Sequence, residues 1–115
     1  MAFHRFTLII LDRDNVGRPR PDHHESAARD LFALGIDGWT ETPSVGVWRG
    51  SREHGRVYTL LLEDAHGGRY RYACSNGHAW SPPELLRTLE KVGREAMPDQ
   101  AAIFSTYDGL VSATL

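Results

Sequence analysis

Four short groups of residues have types and spacings that could do chemistry. Asp12-Arg13-Asp14-Asn15 carries two carboxylates just past an apolar segment. Carboxylates emerging together from a strand end suit a hard divalent cation, so Asp12 and Asp14 are candidate ligands for metal-dependent catalysis. The calcium-loop template fails, because Val16 stands where an oxygen ligand is required. The plainer expectation is a solvated loop whose Asp and Asn side chains bond their own backbone. Cys74-Ser-Asn-Gly-His78 places a thiol and an imidazole around a tight turn, close to the start of a helix. A nearby imidazole or helix terminus can lower a thiol pKa, which makes Cys74 and His78 a candidate nucleophilic pair. No third, orienting residue is identifiable, and an unpaired cysteine is more commonly a buried hydrophobe.

The other two groups concern binding. Arg69-Tyr70-Arg71-Tyr72 alternates basic and aromatic residues. On a strand, Tyr70 and Tyr72 share one face and could stack RNA bases, while the arginines hold phosphates. A half-buried strand has the same pattern, and a net charge of −2 argues against nucleic acid as a partner. Trp39, Trp48 and Trp80 fall in loops or at strand ends, outside the helical stripes. They either close the open ends of the core or mark an interface, where tryptophan is enriched. His23-His24-Glu25 opens a helix. Adjacent histidines diverge and sit at a positive helix end, so they are expected on the surface.

The elements that position these groups follow from periodicity. Phe6–Leu11 is nearly continuously apolar and reads as a strand covered on both faces or lying centrally. Asp22–Gly35 reads as a helix with an Asp22/Glu25 capping box, an apolar face of Ala27, Ala28, Leu31 and Leu34, and a Gly35-Ile36 stop. Strands are expected near Val45–Arg49, with Pro43 marking an edge, and at Val57–Glu63; Arg49–Arg56 reads as the connection between them. Arg69–Cys74 reads as an extra strand whose partner is left open. Ser81-Pro-Pro-Glu84 opens a second helix to Ala96, with Leu85, Leu86, Leu89 and Val92 buried and Gly93 weakening it. Ala101–Tyr107 reads as the last strand, with Asp108-Gly109 as a turn.

The order is β-α-β-β-(β)-α-β, the split βαβ plan of ferredoxin-like domains. The expected architecture is an α+β two-layer sandwich, residues 1–115 forming one domain, with two helices on one face of an antiparallel sheet. Asp14-Asn15 with Gly17, Gly38-Trp-Thr40, Gly46-Val-Trp48-Arg49 and Gln100-Ala-Ala-Ile103 together resemble small uncharacterised bacterial proteins of ferredoxin-like α/β plan. The resemblance implies the fold and carries no activity or site residue. The Tyr70–Trp80 stretch is an insertion relative to that pattern.

At 115 residues, 41% hydrophobic and 24% charged, the chain has the make-up of an ordinary globular domain. Cys74 is its one cysteine, which excludes an intrachain disulfide and fits a reducing compartment; cytoplasmic location is expected. No segment is long enough to span a bilayer. The function expected is a non-enzymatic binding or interaction module, self-associating as a homodimer and using no cofactor. Trp48, Tyr70, Tyr72 and Trp39 are its candidate binding residues, with a small molecule or another protein as further partner classes. The alternatives are a small enzyme using Asp12/Asp14 or Cys74/His78, and RNA binding through Tyr70 and Tyr72.

Overall fold

The computed structural model describes residues 2–36, 38–66, 69–71 and 79–112. Their elements are β1 (Ala2–Leu11), α1 (Pro21–Ala33), β2 (Thr40–Trp48), β3 (Ser51–His66), β4 (Arg69–Arg71), β5 (Ala79–Trp80), α2 (Pro82–Ala96) and β6 (Ser105–Ser112). This is an α+β fold. Four longer strands lie side by side in the order β2-β3-β1-β6, every pairing antiparallel. The short β4 and β5 extend the sheet from the far end of β3, so the extra strand pairs there. Residues 72–74, the rest of its expected span, lie outside the described residues.

β1 alternates strictly. His4, Phe6, Leu8 and Ile10 are buried, while their neighbours are exposed or half-buried. The register Phe6↔Leu60 and Leu8↔Tyr58 sets those side chains beside the buried face of β3. Ala27 and Leu31 of α1 and Leu85, Leu89 and Val92 of α2 complete one core cluster, so both helices cover the same face. β1 is therefore central in the sheet but roofed on one side only. Across the other face runs a row of threonines, Thr106–Thr7–Thr59–Thr40, one from each of the four longer strands. Threonine suits a pleated surface that meets water: its methyl packs and its hydroxyl stays solvated. Asp108 accepts from the hydroxyls of both Thr7 and Thr106, at 2.6 and 2.8 Å.

Several boundaries differ from the sequence expectation. α1 starts one residue earlier, at Pro21, and Asp22 does not cap it. Asp22 instead takes a two-toothed contact from Arg20, at 2.9 and 2.7 Å, a stronger arrangement than a single N–H. The helix stop is as read: Gly35 is left-handed, its N–H reaches Phe32 O and that of Ile36 reaches Leu31 O. The last strand begins at Ser105, later than expected, and runs through Asp108-Gly109 as a bulge rather than turning there. Gly93 is not a weak point. A Cβ there would collide with the side chain of Ile103, so glycine lets α2 lie against the segment leading to β6.

The largest difference concerns Arg49–Arg56. Residues expected to connect two strands form strand instead, and the turn shrinks to Arg49-Gly50. β3 therefore outruns β1. The β1 ladder stops at Leu11↔Gly55, with one further bond from Asp12 N–H to His54 O, leaving residues 51–53 paired with β2 alone. Gly55 sits at that departure point, where a Cβ would lie 2.6 Å from the carbonyl oxygen of Ile10. Backbone cannot yield as a side-chain tip can. Gly55→Ala is expected to lower unfolding free energy by about 1–3 kcal/mol, the usual cost of forcing atoms into a filled site. Urea denaturation measures it, and an unchanged midpoint would contradict this packing.

Candidate functional site

The overhanging part of the β2–β3 hairpin forms an arm that stands off the body of the fold. Behind it lies a cleft of about 350 Å3, whose walls include Arg13, Asp14, Arg49, Arg52, His54 and Gln100. Beside it, an apolar groove of about 270 Å3 runs between the arm and Ile9, Leu11 and Phe104. Trp48 and Glu53 line both. Exposed apolar side chains gather around the arm: Val45 is 56% exposed, Val47 69%, Trp48 56% and Phe104 57%.

Strand alternation sorts the arm's polar groups. His54 O accepts from Asp12 N at 2.9 Å, so the backbone groups of His54 point away from β2. Those of Arg52, two residues earlier, point the same way and meet no neighbouring strand. The side chains of Arg52 and His54 share one face, and Glu53 lies on the other. At the tip, Arg49 (φ 49°) and Gly50 (φ 80°) are both left-handed, as a two-residue turn between twisted strands requires. Asn or Gly is the usual first residue of such a turn, and arginine pays roughly 1–2 kcal/mol for that conformation. Its guanidinium lies 5.7 Å from the centre of the Trp48 ring.

The opposite wall is held rigidly. Asp14 accepts from the N–H groups of Arg18 and Val16, at 2.9 and 3.1 Å, making the Asx-type loop expected from its sequence. The Arg18 N–H, then that of Val16 and the nearby Arg20 charge, hold its carboxyl below the usual range despite partial burial. Asn15 ties this loop to the end of α2: its N–H and side-chain amide donate to Asp99, and Gln100 donates back to Asn15 Oδ1 at 2.8 Å. Asp14, Asn15, Gly17, Trp48, Arg49 and Gln100, drawn from separated motifs of the sequence, thus border one cavity.

The other expected site residues fare differently. Asp12 and Asp14 turn to separate partners, and among the described residues no three His, Cys, Asp or Glu side chains converge on a metal position. Asp12 accepts from His24 Nε2 at 2.6 Å, and His24 Nδ1 lies 2.7 Å from the Tyr58 hydroxyl. Tyr58 also interacts with Glu41, which accepts from Trp39 Nε1 and Arg56, both at 3.1 Å. Trp39 stacks over Tyr58 with ring centres 6.4 Å apart, so it closes the core, as does the half-buried Trp80. Only Trp48 of the three is widely exposed. Tyr70 lies in β4, opposite Asp64 and Trp80. Tyr72, Cys74 and His78 lie outside the described residues.

One expectation needs correction. The adjacent histidines are not surface groups: His23 is fully buried with Nδ1 2.9 Å from Leu11 O, and His24 is largely buried. Proline at the start of α1 sets both over the end of β1, where diverging directions give each its own acceptor. A second Asp-His-Tyr set, Asp64–His4–Tyr107, occupies the other end of β1, with contacts of 2.7 and 2.8 Å. Buried polar side chains must find partners, and alternation alone gives no sign of these pairings. Comparison with known protein families, with curated proteins and with solved structures finds no match.

Burial first, and then the Glu41 charge, push the Tyr58 phenol well above its ordinary value; burial and Asp64 likewise raise Tyr107. The unfolded chain would release these protons near pH 10 while the fold keeps them. Stability is therefore expected to be intact below pH 10 and to fall above it, by up to about 1.4 kcal/mol per pH unit for each such tyrosine. Tyr58→Phe should cost about 1–3 kcal/mol at neutral pH and make the alkaline decline shallower. Denaturation midpoints between pH 7 and 11 measure both effects; an equally steep decline in the variant would refute the assignment to Tyr58.

Proposed function

We propose that this protein is a non-enzymatic binding module of ferredoxin-like plan that acts as a cytoplasmic homodimer. The strand order β2-β3-β1-β6, with both helices on one face, supports the ferredoxin-like plan. The observation that carries the binding reading is the exposure of Trp48 and Phe104 in one apolar groove, with Val45 and Val47 exposed on the other face of the same arm. Exposed apolar side chains scattered singly need no explanation, but a contiguous set marks an interaction surface. The two acidic candidates support the same reading, since Asp12 is engaged by His24 and Asp14 by backbone N–H groups. The single cysteine suits a reducing compartment.

A second copy is the occupant this surface fits. The arm carries the apolar residues and the groove lies at its base, so two copies related by a two-fold axis can each lay an arm into the other's groove. Pro43 faces its missing N–H toward the free edge of β2, which blocks a continuous edge-to-edge ladder and favours side-chain packing. Light scattering at micromolar concentration should give twice the chain mass, and Phe104→Asp should return the single-chain mass with the far-UV spectrum kept. A single-chain mass for the unaltered protein at all concentrations would rule out the homodimer.

A further inference from the structure

We propose that the cleft behind the arm binds a phosphate-bearing small molecule, held by Arg13, Arg49 and Arg52. The inference rests on the binding-module reading and names a ligand class for it. Three arginines line one cavity. Arg13 donates one N–H to Gly17 O at 2.9 Å, Arg49 lies over Trp48, and among the described residues none of the three forms an ion pair with a carboxylate. Arginines elsewhere on the described surface commonly do: Arg20, Arg29, Arg56 and Arg94 each have an acidic partner. Planar guanidinium groups match phosphate oxygens in pairs, which a lone ammonium cannot do.

The two carboxylates at the rim do not cancel these charges. Asp14 Oδ1 accepts from the Val16 and Arg18 N–H groups and its Oδ2 lies 3.6 Å from the Arg20 guanidinium, while Glu53, though it lines the cleft, is on the opposite face of the strand from Arg52. The unpaired strand edge adds the Arg52 N–H, a donor fixed in direction and unable to relax away. Fixed backbone donors beside arginines are what an oxyanion needs. Arg49 adds an independent sign. The turn would form more readily with Asn at that position, yet it carries a long cation in a left-handed backbone. A residue held in a disfavoured conformation at a cavity rim points to selection for its side chain. Walls tied by the Asn15–Asp99–Gln100 contacts keep the cleft open without a ligand.

Inorganic pyrophosphate is the probe, titrated by calorimetry at two salt concentrations. Saturable binding that weakens with salt is expected. Arg52→Ala and Arg13→Ala should each weaken it by about tenfold or more, the loss expected for a hydrogen-bonded charge pair. Arg49→Asn should weaken binding while leaving the melting temperature unchanged or higher, which a purely structural arginine would not do. A single-stranded octaribonucleotide without terminal phosphates forms the second arm. Binding of that strand but not of pyrophosphate, no pyrophosphate binding at low salt, or equal affinity in all three variants would each overturn the proposal. Pyrophosphate binding by Phe104→Asp, which lies outside the cleft, is measured in parallel, so that loss of the dimer and loss of the anion site are read separately.

Discussion

The register between β1 and β3 is the constraint on which everything else depends. Pairing Phe6 with Leu60 and Leu8 with Tyr58 sends Phe6, Leu8, Ile10, Tyr58 and Leu60 under the helices together. Side chains alternate with period two, so a slip of one residue would turn the whole set out to water. The same register brings Asp64 within 2.7 Å of His4 and fixes where Tyr58 meets His24. It also decides where β1 runs out against β3, at Leu11 and Gly55. Core, polar contacts and overhang are three consequences of one alignment.

Polar chemistry is distributed unevenly around that frame. The two Asp-His-Tyr sets sit at opposite ends of β1, each joining three separate segments. Within the first, Tyr58 is fully buried and its hydroxyl is committed to neighbours, which fits a structural tie rather than a reacting group. The cleft differs in kind. Three arginines line it, the backbone edge at Arg52 meets no strand and its turn holds arginine in a disfavoured conformation. Local rules broken in one place, with the rest of the fold obeying them, are the usual mark of a site.

Much of the architecture was legible because it is written in periodicity. The apolar runs at Phe6–Leu11 and Val57–Leu62 identified neighbouring strands, and the stripe of Leu85, Leu89 and Val92 identified the face of the second helix. Gly35-Ile36 identified the helix stop, because a left-handed residue there favours glycine. What escaped were features set by tertiary contact. Ser51–Arg56 is polar because it stands clear of the core, so composition read a strand as a loop. Arg49-Gly50 was hidden as a turn because arginine is the wrong residue for its first position. His23 and His24 were misjudged because their acceptors, Leu11 O and Asp12, come from the preceding strand's end. Of the candidate binding residues, Trp48 lines the cleft and Trp39 belongs to the core's rim. The cleft itself unites residues from three motifs that sequence kept apart.

Residue-resolved amide hydrogen exchange tests the overhang most directly. The N–H groups of Ser51 and Glu53 point toward β2, and that of Arg52 points away from it toward the cleft. Slow exchange at 51 and 53 with fast exchange at 52 between them, followed by protection of the ladder amides from 55 to 60, is the pattern required. Uniform protection through 51–53 would mean that another strand covers that edge, and the cleft would not exist.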